Sequence, residues 1–351
     1  MIEIDGSMME GGGQLLRMAI TYSVLMAKPV RVINVRGGRD PPGLRPQHLT
    51  TLKAVAEICR AKAKGLSIGS REIEFHPSPP RGGTYTFDIG TAGSISLLLQ
   101  CVAPISAFAD SRTRLKVIGG TATEMSPPVT TLERVVWEAS REMGFDGELK
   151  ILREGFYPKG GGIVEVQINP IDELRPIVVE APEEVDLVRG ISVCGRLPSH
   201  VAERQARSAE EALRECGYNS KVEYRALGGA EEPLSPGSYI SLWAEAKPKI
   251  FLGADSLGKR GKPAERVGAE AAESLIEQLR TGAGVDLHTA DNLIIWCSLA
   301  NGDSVFRTSR LTLHTETAIE LAKLLGGAEF KVEGQRDGTA IIRCRGVGLK
   351  A

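Results

Sequence analysis

Three stretches of this chain follow one plan, and that internal repetition constrains the fold more than any other feature of the sequence. The first runs from a Gly-led helix, GGGQLLRMAITYSVLMA (11–27), through a strand, VRVINVR (30–36), and a Gly/Pro loop, GGRDPPGLRPQ (37–47), into a second helix, HLTTLKAVAEICRAK (48–62). The second stretch has the helix GTAGSISLLLQCVAPISAFA (90–109), strand RLKVIGG (114–120), loop TATEMSPP (121–128) and helix VTTLERVVWEASREMG (129–144). The third has HTADNLIIWCSLAN (288–301), strand SVFRTSR (304–310) and HTETAIELAKLLG (314–326). The second helices align as HLTTLKAVAEI, VTTLERVVWEA and HTETAIELAKL, so His48, Val129 and His314 fall near one repeat position. One such unit cannot bury its apolar face alone, whereas three packed around an axis can.

The first helices begin near Gly13, Gly93 and Asp291, at intervals of 80 and 198 residues, so an extra segment interrupts the third unit. Residues 184–282 supply it. They read as a βαβββα module: strand DLVRGISVCG, helix HVAERQARSAEEALRECG, strands KVEYRAL, SYISLWAEAK and KIFLGAD, and helix AERVGAEAAESLIEQLRTG. Both helices carry a single apolar stripe, as helices covering one face of a sheet do. The Gly-rich 228–237 reads as a hairpin-type connection. Strand pairs of alternating polarity are expected after the second helices, at 65–77 with 82–90 and within 147–170. A chain of 351 residues exceeds a typical single core. The expected fold is α+β (mixed α/β): three βαβαββ-like repeats form a large discontinuous domain (1–183 and 283–351). A small thioredoxin-like βαβββα domain (184–282) is inserted into it.

The net charge of −1 provides no global field for a polyanion, so any such site must be a local arginine cluster. The apolar run at 94–108 is too short and broken to span a bilayer, and the N-terminal MIEIDGSMMEGGG lacks a signal-peptide pattern. Six scattered cysteines without a C-x-x-C read as reduced core residues of a cytoplasmic protein, not as disulfides or a zinc site.

The stretch 308–325 reads as a short strand (310–313) entering a helix, with Ile319, Leu321, Leu324 and Leu325 on its core face. Thr315 suits the cap, and Glu316 and Thr317 the first turn. His314 at the junction is either a helix-end residue or a neutral imidazole kept uncharged by the helix terminus and free to act as a nucleophile. Glu10, Gln14 and Arg17 surround three glycines that let backbone N–H groups approach a phosphate; Glu10 is either a magnesium ligand there or a solvated carboxylate. Arg36, Arg39 and Arg45, in a loop stiffened by three prolines and followed by Gln47 and His48, read as a preset anion site. Gln100 on an apolar helix needs a partner, either a core carbonyl or a ligand. Asp291 and Asn292 lead an apolar run, Asp291 being either an N-cap or a site residue. His76 and His200 have no such context and read as structural.

Taken together, EGGGQLLR (10–17), RxxRxxPGLRPQH (36–48), GTAGSxSLLLQ (90–100), HTADNL (288–293) and LTLHTETA (311–318) resemble the RNA 3′-terminal phosphate cyclase family, in order and over nearly the whole chain. The resemblance implies a cytoplasmic enzyme without membrane attachment that uses ATP and Mg²⁺ (or Mn²⁺) on RNA ending in a 3′-phosphate. The sequence leaves its oligomeric state open. In such enzymes a histidine takes AMP from ATP, AMP passes to the RNA 3′-phosphate, and the 2′-hydroxyl closes a 2′,3′-cyclic phosphate. By motif, His314 would be the nucleophile and Glu10 the carboxylate at the metal. Gln100, Pro127, His288, Thr289, Ala290, Asp291 and Asn292 would bind the nucleotide. Gln14, Arg17, Arg36, Arg39, Gln47 and His48 would line the phosphates and the RNA end. At His288 bacterial relatives often carry an aromatic ring, so a weaker stack on the base is implied. A non-catalytic ribosome-assembly branch lacks the histidine present here. Enolpyruvyl transferases share the threefold plan, but the insert and the two histidine motifs set this chain apart.

Overall fold

The computed structural model describes residues 1–351 except Glu180 and Glu183. The first unit pairs β1 (Ile2–Asp5) in parallel with β2 (Val30–Ile33) across α1 (Gly13–Leu25). Helix α2 (Pro46–Ile58) then leads to the antiparallel β3 (Lys62–Lys64) and β4 (Ile73–His76), giving the order β1-β2-β4-β3. Pro46 stands in the first turn of α2, where its fixed φ suits the helix and its missing N–H costs nothing.

The second unit repeats this with β5 (Gly83–Asp88), α3 (Ile95–Ala107) and β6 (Thr113–Gly119). Its second helix runs from α4 (Val129–Thr131) through a π-helical stretch (Leu132–Trp137) into α5 (Glu138–Glu142). It closes with β7 (Gly147–Arg153) and β8 (Gly162–Ile168), in the order β5-β6-β8-β7. Strand β6 buries Thr113, Leu115, Val117 and Gly119 alternately, as a half-buried strand must.

The third unit opens with β9 (Val178–Val179) and is interrupted. The insert comprises β10 (Glu184–Gly195), α6 (His200–Glu215), β11 (Ser220–Leu227), β12 (Gly237–Lys247), β13 (Gly253–Leu257) and α7 (Ala264–Leu279), with sheet order β11-β10-β12-β13. The boundary expected between 183 and 184 abuts Glu183, outside the described residues. The unit resumes with α8 (Leu287–Leu299), β14 (Asp303–Thr308), α9 (Leu313–Leu321) continued by a π-helical turn (Ala322–Gly326), β15 (Glu329–Gly334) and β16 (Ala340–Arg345). Strand β9 pairs in parallel with β14 across the insertion, which restores the same order: β15-β16-β14-β9. One continuous core joins the three units through residues such as Leu15, Ile20, Leu99, Val117, Trp137, Leu293 and Phe306. The insert has its own, around Val188, Leu213, Ile240, Leu242, Ala271 and Leu275.

Several local expectations are corrected. The segment 82–90 does not close the first unit; it holds β5, which pairs in parallel with β6 and opens the second. The 228–237 connection is no hairpin, because β10 lies between β11 and β12. The fourth strand of the module begins at Gly253 rather than at 249, and Phe251 instead bridges to Val285. Residues 310–312 form neither strand nor helix: β14 ends at Thr308, and Thr312, not Thr315, caps α9 by accepting from Thr315 N. Leu324 is 51% exposed, since the π-helical turn carries the buried face from Leu321 to Leu325 and rotates Leu324 outward. Five cysteines are buried as expected, but Cys216 is exposed. No helix among the described residues is long and apolar enough to cross a membrane.

Candidate active site

The N-terminal turns of α1, α8 and α9, the middle of α3, the loops before α2 and α4, and β13 of the insert surround a cleft of about 600 Å³. Its size is that of a small-molecule pocket. Glu10, Gln14, Arg17, Arg36, Arg39, Gln47, His48, Gln100, Pro127, His288, Thr289, Asp291, Asn292 and His314 all line it. Ala290 does not; it is fully buried in the core beside them.

His314 lies in the first turn of α9, half-buried. Its Nδ1 is 2.8 Å from Gln14 Oε1, and its Nε2 has no hydrogen-bond partner among the described residues. Burial holds the imidazole below its ordinary pKa; Arg39, His288 and Arg17 add to this and Glu10 opposes it. Burial, rather than the helix terminus alone, therefore keeps the ring neutral.

Two carboxylates at the start of α8 line the cleft. Asp286, not Asp291, is the N-cap: its Oδ1 accepts from His288 N at 2.8 Å and Thr289 N at 2.6 Å, and its Oδ2 from Gly253 N at 3.0 Å. That last bond ties α8 to the insert. Asp291, freed from capping, stands one turn in and accepts from Gln14 Nε2 at 3.2 Å and Asn292 Nδ2 at 2.7 Å. Burial pushes its carboxyl up to about 7 against the pull of Arg17. His288 is exposed on the rim.

The cationic wall divides into free and braced groups. Arg17 is sunk in the cleft, its pKa lowered by burial, and forms no salt bridge among the described residues. A desolvated guanidinium without a fixed anion calls for one from outside. Arg39 pairs with Glu10. Arg36 differs from expectation: its Nη1 donates at 3.0 Å to both Pro41 O and Gly43 O, so it shapes its own loop as well as lining the cleft. His48 is 6% exposed, its Nδ1 has no partner, and burial with Arg17 and Arg36 lowers it to about 3. Its Nε2 occupies the space a Cβ on Gly13 would need, which is why α1 must open on glycine. Gln47 Oε1 accepts from Ser94 N at 3.3 Å, joining the first unit to the α3 terminus.

Glu10 has a 6% exposed side chain, and its Oε2 is buried without a partner. No group of three or more His, Cys, Asp or Glu side chains among the described residues can hold a metal. A hard cation here would therefore take one protein carboxylate and complete its shell with phosphate oxygens and water, a pattern that suits Mg²⁺. Gln100 has no hydrogen-bond partner among the described residues and faces the cleft, so of its two sequence readings the core-carbonyl one is absent. Pro127 lines the cleft from the loop before α4.

Sequence reasoning missed Asp286, although an Asp directly before a helical apolar run is an N-cap signal. It also missed Asp255 of β13, which lines the cleft with its carboxyl raised to about 7 by burial. Nothing local to its strand signals that role.

A family model described as RNA 3′-terminal phosphate cyclase matches residues 8–332. Proteins of that name from Methanopyrus kandleri and Ignicoccus hospitalis are 44% and 45% identical to this chain over 350 residues, covering 99% of each sequence. The Pyrococcus furiosus protein of the same name is 43% identical over 334 residues, 95% of this chain and 96% of that one. A solved enolpyruvyl transferase from Streptomyces tendae covers 99% of this chain and 82% of its own at 12% identity and a TM-score of 0.22, too low to bear on the fold.

Proposed function

The chain belongs to the RNA 3′-terminal phosphate cyclase family, and on that premise we propose that it uses ATP to convert an RNA 3′-terminal phosphate into a 2′,3′-cyclic phosphodiester. The observation that carries the reading is His314, a neutral imidazole in the cleft with Nδ1 engaged and Nε2 unengaged beside an unpaired Arg17.

In the first step the His314 Nε2 lone pair attacks the α-phosphorus of ATP. The N–P bond forms, the bond from that phosphorus to the β-bridging oxygen breaks, and pyrophosphate leaves with the electron pair. An oxygen of the RNA 3′-phosphate next attacks the same phosphorus, and the Nε2–P bond breaks with its electrons returning to the ring. The vicinal 2′-hydroxyl then attacks the 3′-phosphorus and expels AMP, whose phosphate takes up the hydroxyl proton. The phosphoramidate delivers AMP to the RNA 3′-phosphate, where AMP takes the place of a poor leaving group in the closing step.

Each step concentrates negative charge that preset cations stabilise. Arg17 and Arg39 are the free and surface-paired guanidiniums for the phosphates. Arg36, Gln47 and His48 complete that wall, with His48 as a neutral hydrogen-bonding group. Gln14 belongs to the same stretch and contacts His314 directly. Gln100, Pro127, His288, Thr289, Asp291 and Asn292 are the nucleotide side; Ala290 contributes packing behind them. Glu10 would hold Mg²⁺ or Mn²⁺, which supplies charge neutralisation on the triphosphate.

An RNA oligomer with a 3′-phosphate, incubated with the protein, ATP and Mg²⁺, should gain a phosphatase-resistant 2′,3′-cyclic end. Conversion without ATP, or none with it, contradicts the proposal.

A further inference from the structure

We propose that Gln14, braced by Asp291, is a positioning residue that holds the His314 imidazole in the tautomer whose Nε2 carries the lone pair. The inference rests on reading His314 as the nucleophile, but it concerns the state of the ring before any nucleotide binds.

The three residues come from distant parts of the chain: Gln14 from α1 in the first unit, Asp291 from α8 and His314 from α9 in the third. Orientation propagates along them one group at a time. The His288 carbonyl can only accept, and Asn292 Nδ2 donates to it at 2.8 Å, so the Asn292 amide is fixed. The same Nδ2 lies 2.7 Å from Asp291 Oδ1. The other carboxylate oxygen, Oδ2, lies 3.2 Å from Gln14 Nε2. An amide has donors at one end and an acceptor at the other. With its nitrogen turned to Asp291, Gln14 presents Oε1 to His314 Nδ1 at 2.8 Å. A carbonyl oxygen takes a hydrogen bond and gives none, so Nδ1 holds the ring hydrogen and Nε2 the lone pair.

The arrangement also bears on the covalent step. When Nε2 bonds to phosphorus, Nδ1 keeps its hydrogen and the ring becomes positive. Gln14 Oε1 then receives a charge-assisted hydrogen bond. A carboxylate in that place could remove the proton; an amide cannot, so the ring stays protonated and leaves readily when the RNA phosphate attacks. Asp291 lies behind the amide and orients it without competing for the proton. Asn292 and the His288 carbonyl complete the brace, so part of the 288–292 motif serves the nucleophile as well as the nucleotide.

The test is a long-range proton–nitrogen correlation spectrum of nitrogen-15 histidine-labelled protein without nucleotide, at about pH 8 so that the imidazoles are neutral. His314 is assigned by its loss in His314→Asn. The wild type should show the Nδ1–H pattern. Gln14→Glu, which still accepts from Nδ1, should retain it. Gln14→Met, which has no acceptor there, should move His314 towards the Nε2–H form and slow adduct formation at saturating ATP by at least about tenfold, given the larger losses known for a wrong tautomer elsewhere. An Nε2–H pattern in the wild type overturns the proposal whatever the variants do, as does an unchanged Nδ1–H pattern in Gln14→Met. Because the spectrum needs no ATP, an Nδ1–H ring that depends on Gln14 in a protein forming no adduct would refute the nucleophile and leave the positioning intact.

Discussion

Tyr239 in the insert donates its hydroxyl at 2.8 Å to Oε1 of Glu154, which lies in the second unit just after β7. Thr121 donates to the other carboxylate oxygen, and Ala122, Phe156 and Val193 close over the pair. Burial raises the Glu154 pKa, so the carboxyl depends on these donors. We propose 184–282 as a separate domain with this pair as the polar centre of its docking. Tyr239→Phe should then lower stability by about 1–3 kcal/mol, the usual result of leaving a buried polar group short of a partner. The measurement is the denaturant midpoint at unchanged m-value; an unmoved midpoint would show that the pair holds nothing together.

Arg36 and Arg39 should separate in their effects. Arg36→Ala removes two bonds to loop carbonyls and should cost about 1–2 kcal/mol of stability as well as activity. Arg39→Ala alone would strand the 6% exposed Glu10 carboxylate, so it is combined with Glu10→Gln; that double variant removes a pair whose arginine is 40% exposed, and stability should change by less than about 1 kcal/mol while cyclisation falls steeply. Thermal unfolding beside cyclisation assays checks both. Equal stability losses would show that Arg39 too is structural.

Glu10→Ala should raise the half-saturating Mg²⁺ concentration by about tenfold or more, since even outer-shell partners of a metal are worth about 10- to 100-fold in affinity. A magnesium titration identical to wild type would leave Glu10 as a partner of Arg39 only.

The pH dependence of adduct formation follows from Asp291. Its carboxyl is raised to about 7 by burial, with Asp286 adding repulsion and Arg17 and the Asn292 bonds opposing. Below that value it protonates and ceases to be a pure acceptor for Gln14. His314, held below its ordinary value, does not set this limb. Adduct formation should therefore fall as pH drops through about 7, and Asp291→Asn, whose amide oxygen accepts at any pH, should shift the limb downward. For stability the sign is the reverse: a carboxyl raised in the folded state favours folding fully below its unfolded pKa and loses that contribution as pH rises through about 7. A limb unmoved in Asp291→Asn assigns it to another group.

The three-unit plan was legible because each unit carries the same cues in order: a Gly-bearing or polar helix start, a short strand, a loop, and a second helix with Leu or Thr at matching places. That the fourteen residues share one cleft was legible only through motif resemblance, since no periodicity joins Gln14 to His314 across 300 positions. Illegible details have local causes. Asp286 took the cap from Asp291 because the helix starts a turn earlier than its polar cluster suggests. Leu324 turned outward because a π-helical turn changes the period, which a count of three and four cannot register. Arg36 became a brace because its backbone is left-handed and folds the loop around its own side chain. Ala290 fell into the core because a helical motif of five residues necessarily turns one away from the cleft.

The measurement closest to the central claim is the intact mass of the protein after exposure to ATP and Mg²⁺. His48 and His314 hold near-equivalent places, the third residue of α2 and the second of α9, so repetition alone does not choose between them. His48 is closed in by Gly13 and its exposed area is 6%, whereas His314 opens to the cleft with Nε2 unengaged. The wild type should gain the mass of one AMP moiety through a bond that is labile in acid and stable in alkali, as a phosphoramidate is. His48→Ala should still gain it at a reduced rate, and His314→Asn should gain nothing. An acid-stable adduct, or one that persists in His314→Asn and disappears in His48→Ala, would contradict the assignment.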